Sequence, residues 1–76
     1  MNRIRRQQLQ KIMEKLEDLK SDLELLKDEE EEYRDNIPEN LQGSERYEKA
    51  DEACDNLSYA FDSLEEAVNY IEESIA

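Results

Sequence analysis

The sequence predicts an all-α fold, an antiparallel two-helix coiled-coil hairpin that dimerises into a four-helix bundle. Two segments carry apolar residues at the 3.5-residue spacing of a coiled coil, and one cluster of helix breakers separates them. A stripe of small residues beside the second segment indicates a further helix contact. The first heptad run is Leu9, Ile12, Leu16, Leu19, Leu23, Leu26, Glu30 and Tyr33, and the second is Tyr47, Ala50, Cys54, Leu57, Phe61, Leu64, Val68, Ile71 and Ile75.

The breaker cluster predicts the hinge of the hairpin. It holds the only proline of the chain, Pro38, and the only glycine, Gly43, and both residue types interrupt helices. Ser44 follows, and we expect its hydroxyl to cap the first turn of the second helix. The predicted elements are a helix over about 3–35, a hinge over about 36–43 and a helix over about 44–75, within one domain of residues 1–76.

Folding the chain at the hinge places each residue of the first run opposite one of the second, so that Leu19 faces Phe61 and Leu26 faces Cys54. Along one edge, basic residues of the first helix then meet acidic residues of the second. Exposed ion pairs contribute little stability, but they favour one register over others. The predicted pairs are Lys27 and Arg34 with Asp51, Lys20 with Glu65, and Arg6 with Glu72.

Alanines recur every seven residues on the second helix and form a second face with polar neighbours. A lone hairpin would leave this face in water, so we expect two hairpins to associate through it as a two-fold homodimer. The alternative is that alanine was selected only as the best helix former. This small-residue face comprises Ala53, Asn56, Ala60, Ser63, Ala67 and Tyr70, and we expect Leu25 on the first helix to join it.

The composition argues against catalytic and metal-binding sites. The chain has 22 acidic and 10 basic residues, a net charge of -12, one cysteine and no histidine, so we expect neither a disulfide within the chain nor a zinc site. Cys54 at a seam position indicates a small core residue rather than a nucleophile. The run Asp28–Glu32 indicates a solvated surface rather than a calcium site. We therefore predict a cytoplasmic protein that is not an enzyme, with no cofactor, no metal and no membrane contact.

The outer face of the second helix is an acidic ridge, for which two interpretations stay open. A helix in water needs a charged outer face, which explains the ridge without any partner. An acidic rod can also imitate the phosphate rows of a nucleic acid and inhibit a DNA- or RNA-binding protein, as phage and mobile-element inhibitors do. Direct nucleic-acid binding is not expected at this net charge. The acidic ridge comprises Glu48, Glu52, Asp55, Asp62, Glu66 and Glu73.

The hinge Asn36–Glu45, followed by Ala53–Leu57 and Leu64–Ala67, resembles that of short acidic helical-hairpin proteins of Firmicutes bacteria and their prophages or mobile elements. The resemblance covers residues 28–76 and implies the coiled-coil hairpin, with no activity and no functional residues to carry over. From the surfaces, we predict a non-enzymatic module for protein–protein interaction or oligomerisation. We expect it to be a small assembly or regulatory protein that forms a homodimer and contacts a further protein.

Overall fold

The computed structural model describes all 76 residues as two long antiparallel helices with no strand. Helix α1 spans Arg3–Asp35, helix α2 spans Glu45–Ile75, and a short 3₁₀ helix, Glu39–Leu41, lies between them. Together they form a rod with dimensions of 59 × 15 × 13 Å. The predicted all-α hairpin is confirmed. Neither helix contains a stretch long and apolar enough to cross a membrane.

Side-chain caps and the hinge proline determine where the helices begin and end. The Asn2 Oδ1 atom accepts a hydrogen bond from the Arg5 N–H at 2.7 Å, and Ser44 Oγ accepts one from the Tyr47 N–H at 3.3 Å. Both caps satisfy a backbone donor that the first turn of a helix leaves free. Pro38 lacks an N–H and disfavours helical conformation in the residue before it, so α1 ends ahead of it. The predicted cap at Ser44 is confirmed.

The core of the hairpin is thin. Only four of the 76 residues are buried, namely Ile37, Ala50, Cys54 and Val68. Ile37 belongs to the hinge, where no heptad pattern marks it, and it is 2% exposed between the ends of the two helices. A core this small stabilises a domain weakly, because most apolar side chains still touch water.

Helix α1 is rotated relative to the predicted seam. Leu19 and Leu26 are each 57% exposed, whereas the side chains of the next residues, Lys20 and Lys27, are only 17% and 19% exposed. The prediction that Leu19 and Leu26 face α2 is therefore wrong, and the same correction applies to Ile12, which is 45% exposed. The residues that turn outward form an outer apolar row of Ile12, Leu19 and Leu26.

The long aliphatic stems of the basic residues explain the rotation of α1. The Lys20 Nζ atom lies 5.4 Å from the centroid of the Phe61 ring, a cation–π arrangement in which the methylene stem covers the apolar surface of α2. Lys20, Lys27 and Arg34 recur every seven residues, so their stems line the hinge-side half of the contact with α2. The stripe of α1 that meets α2 is accordingly centred between the half-buried leucines, Leu9, Leu16 and Leu23, and these basic residues.

One of the predicted edge pairs is present. The Arg34 Nη1 atom lies 3.1 Å from Asp51 Oδ1, and Arg34 also contacts Asp35 at 3.1 Å. Hydrogen bonding to Asp35, helped by Asp51, raises the pKa of the Arg34 guanidinium. The other predicted pairs are absent, since Lys20 and Lys27 bind Glu17 and Glu31 of their own helix rather than Glu65 and Asp51, and Arg6 does not reach Glu72.

The burial of Ile37 predicts that the hinge contributes strongly to stability. We expect Ile37→Ala to lower the free energy of unfolding by about 2–4 kcal/mol, because a buried methylene-rich side chain is lost and a void remains. Leu41→Ala is the matched control in the same hinge, and at 43% exposure it should cost less than about 1 kcal/mol. Urea unfolding followed by circular dichroism measures both, and equal losses would contradict this account of the hinge.

Candidate interaction surfaces

The structure leaves most of the predicted small-residue face open. Ala60 is exposed, and Ala53 and Ala67 are half-buried at the margin of the seam. Tyr70 is 62% exposed and Leu25 on α1 is 60% exposed. The remaining members, Asn56 and Ser63, are also exposed.

The small-residue face carries no charge. Charged residues make up 42% of the chain, yet none lies among the six members of this face, which follow one another at intervals of three or four residues. Residues with that spacing form one continuous strip along a helix. A strip without charges is unusual on a surface this charged, and it is the kind of surface that a helix contact requires.

The outer apolar row borders the small-residue face. Tyr33 continues the row seven residues after Leu26, and Arg46 lies seven residues before Ala53. The Arg46 Nε atom donates to Tyr33 Oη at 2.8 Å, and its guanidinium lies 5.3 Å from the centre of the Tyr33 ring. These contacts put the two stripes side by side at the hinge end of the rod.

The two stripes also stay level with each other along the rod. The contact of Lys20 with Phe61 places these two residues at about the same height, and because the helices are antiparallel, Leu19 and Ala60 then lie about 3 Å apart along the rod. The outer apolar row and the small-residue face thus form one surface, which we call the apolar side. Exposed apolar side chains in such a continuous arrangement mark contact sites for proteins.

The acidic ridge points away from the seam. All six of its carboxylates are exposed, and none of them forms an ion pair with a lysine or arginine of the chain. One of them, Glu66, accepts a hydrogen bond from the hydroxyl of Tyr70 at 3.1 Å. The ridge therefore carries negative charge that no basic side chain neutralises.

Cys54, the only cysteine of the chain, lies in the core. It is 2% exposed and free of any disulfide, and burial raises the pKa of its thiol although the Arg34 guanidinium opposes the shift. No group of three or more Cys, Asp or Glu side chains is arranged to hold a metal ion. The single concave surface is open and shallow, at the start of α1, and is lined by Asn2, Arg3, Ile4 and Gln7.

The two surfaces that distinguish this molecule are thus an uncharged apolar side and an unneutralised acidic ridge. Comparison with protein-family models, curated proteins and solved structures finds no match to the chain.

Proposed function

We propose that this chain is a cytoplasmic, non-enzymatic oligomerisation module, a small assembly or regulatory protein whose working form is a homodimeric four-helix bundle. One observation supports this above all others. Leu19 and Leu26 are each 57% exposed on a rod that buries only four residues, and they lie beside an uncharged strip. A second hairpin that covers the apolar side supplies the missing half of the core.

The energetics favour such an association. Covering a half-exposed leucine or isoleucine contributes roughly 1 kcal/mol, and the outer apolar row offers three such side chains in each copy. A two-fold dimer uses the same surface of both molecules, so each contribution counts twice. Small domains without disulfides or metals commonly gain their stability in this way.

The net charge of -12 opposes association, and the arrangement of the charges limits that effect. The apolar side carries no acidic residue on α2 from Ala53 to Tyr70, whereas the acidic ridge lies on the outer face. Two copies that meet through the apolar side keep their ridges apart and in water, where salt screens the repulsion.

The absolute mass in solution tests the dimer. We expect light scattering on a sizing column to give twice the 9.1 kDa of one chain, and Ala60→Glu to reduce the mass to one chain or to unfold the protein, because it buries a charge in the contact. Tyr59→Glu is the matched control, since it adds the same charge one residue earlier on the outer face, where Tyr59 is 67% exposed.

A wild-type protein that is folded and has the mass of one chain would refute the homodimer. The apolar side would then be the docking surface for a helix of another protein. If Tyr59→Glu dissociates the dimer as strongly as Ala60→Glu, the contact does not involve the small-residue face.

A second function, inhibition of a DNA- or RNA-binding protein by imitation of nucleic acid, is favoured by the acidic ridge. Its six carboxylates are exposed along one helix and have no basic partner within the chain. Rows of free negative charge attract the basic grooves of nucleic-acid-binding proteins. The dimer leaves this ridge accessible, so the two functions are compatible.

Charge reversal tests this second function. We expect the wild type to compete with duplex DNA for purified basic DNA-binding proteins, and replacement of Glu48, Asp55, Asp62 and Glu66 by lysine to abolish the competition without unfolding the hairpin. Mobility-shift titrations measure this competition, and polyglutamate of equal net charge serves as the reference competitor. The control makes the same charge change on the outer face of α1, at Glu14, Glu17, Glu24 and Asp28. Competition no stronger than that of polyglutamate would exclude mimicry.

A further inference from the structure

We propose that the apolar side binds a second copy of this chain in the opposite orientation, so that the two hinges lie at opposite ends of the bundle. Each α1 then lies beside the α1 of the other copy, and each α2 beside the other α2. This inference rests on the proposed dimer and assigns its geometry. The other arrangement places both hinges at the same end and each α1 beside the other α2.

The outer apolar row is symmetric in a way that suits the opposite orientation. Leu19 lies at the midpoint of α1 (Arg3–Asp35), and Ile12 and Leu26 lie seven residues to either side of it. A two-fold axis across the rod at Leu19 therefore sets Ile12 of one copy against Leu26 of the other, while Leu19 meets its own equivalent. All three side chains become covered.

The small-residue face has the same symmetry at the same height. Ala60 lies at the midpoint of α2 (Glu45–Ile75), between Ala53 and Ala67. It lies about 3 Å from Leu19 along the rod, so one axis passes close to the midpoints of both helices and the two rods overlap along nearly their full length. Alanines at the contact allow the two copies of α2 to approach closely, while the larger leucines fill the space between the two copies of α1.

The charges along α1 favour this orientation. Residues 1–16 contain five basic residues and one acidic residue, whereas residues 17–36 contain three basic and ten acidic residues. The opposite orientation brings the basic half of each α1 beside the acidic half of the other. In the same-end arrangement the two runs Asp28–Glu32 would lie at one end of the bundle, where like charges repel.

The complementarity extends to individual residues that border the outer apolar row. Lys15 lies four residues before Leu19 and Asp22 three residues after it, so both flank the row on the same side of α1. An axis at Leu19 brings Lys15 of one copy beside Asp22 of the other, and the symmetry makes two such pairs. Within one chain these residues are about 10 Å apart along the helix and do not form a pair.

The dimensions of the rod suit a full-length contact. One side of a rod 59 Å long and 15 Å wide presents roughly 900 Å², close to the ~800 Å² that each partner buries in a standard stable interface. The outer apolar row spans about 21 Å in the middle of this contact. The occupant with matching length, charge pattern and apolar spacing is a second copy.

Distances between spin labels at the hinge test the orientation. The variant carries Gln42→Cys at the exposed hinge and Cys54→Ala, which removes the buried thiol. We expect pulsed electron paramagnetic resonance to give a separation of about 50 Å, because the two hinges lie a helix length apart. Tyr59→Cys in the same background labels the middle of the rod and gives a separation below about 35 Å in either orientation, so it reports on dimerisation alone.

The outcomes separate this inference from the proposed dimer. A short distance from the hinge label together with a measurable distance from the middle label would overturn the opposite orientation and leave the dimer intact. The absence of a measurable distance from either label, with a mass of one chain, would refute the dimer and therefore the proposed function. A long distance from the hinge label and a short one from the middle label support both.

A charge exchange gives a second test that relies on no label. We expect Lys15→Glu or Asp22→Lys alone to weaken the dimer about tenfold, because two interfacial ion pairs become two repulsive contacts. The double variant should recover affinity to within about twofold of the wild type. Lys15→Glu combined with Asp28→Lys is the control, since it restores the net charge but places the lysine on the outer face of α1. If the losses of dimer affinity caused by the two single substitutions simply add in the Lys15/Asp22 double variant, the opposite orientation is overturned.

Discussion

The aliphatic stems of Lys20, Lys27 and Arg34 determine which side of α1 contacts α2. Their side chains are 17%, 19% and 23% exposed, and they cover the apolar surface of α2 while their charged ends reach carboxylates and solvent. Leu19 and Leu26, which the heptad pattern assigns to the seam, are displaced outward as a consequence. The thin core and the exposed outer apolar row thus have one common origin.

The sequence indicated the hairpin because its signals are local and agree with one another. Heptad spacing, one cluster of breakers and a serine at the start of α2 all describe the same two helices. The rotation of α1 could not be obtained in this way. Leu19 and Lys20 differ by only about 100° around the helix, and both can cover an apolar neighbour. The preference depends on the Phe61 ring, which offers the ammonium of Lys20 a favourable position that only the folded chain reveals.

The interaction surfaces also differ in how far the sequence predicts them. The small-residue face and the acidic ridge follow directly from periodicity, since the face or ridge to which a residue belongs depends only on its number along α2. The outer apolar row depends instead on the orientation of α1, and heptad counting placed its leucines in the seam. The burial of Ile37 was not predicted for another reason. A hinge residue has no heptad period, and its burial depends on how the two helix ends close around it.

In the proposed dimer, the thin core makes folding and association interdependent. A hairpin with four buried residues has little stability of its own, so in the proposed dimer each side chain that a second copy covers also stabilises the fold, and the stability of such a dimer rises with protein concentration. Salt acts on this coupling in two directions, since it screens both the repulsion of the net charge and the attraction between the basic and acidic halves of α1. In the proposed dimer, stability at moderate salt therefore depends chiefly on the apolar side, and the charges of α1 favour the opposite orientation of the two copies.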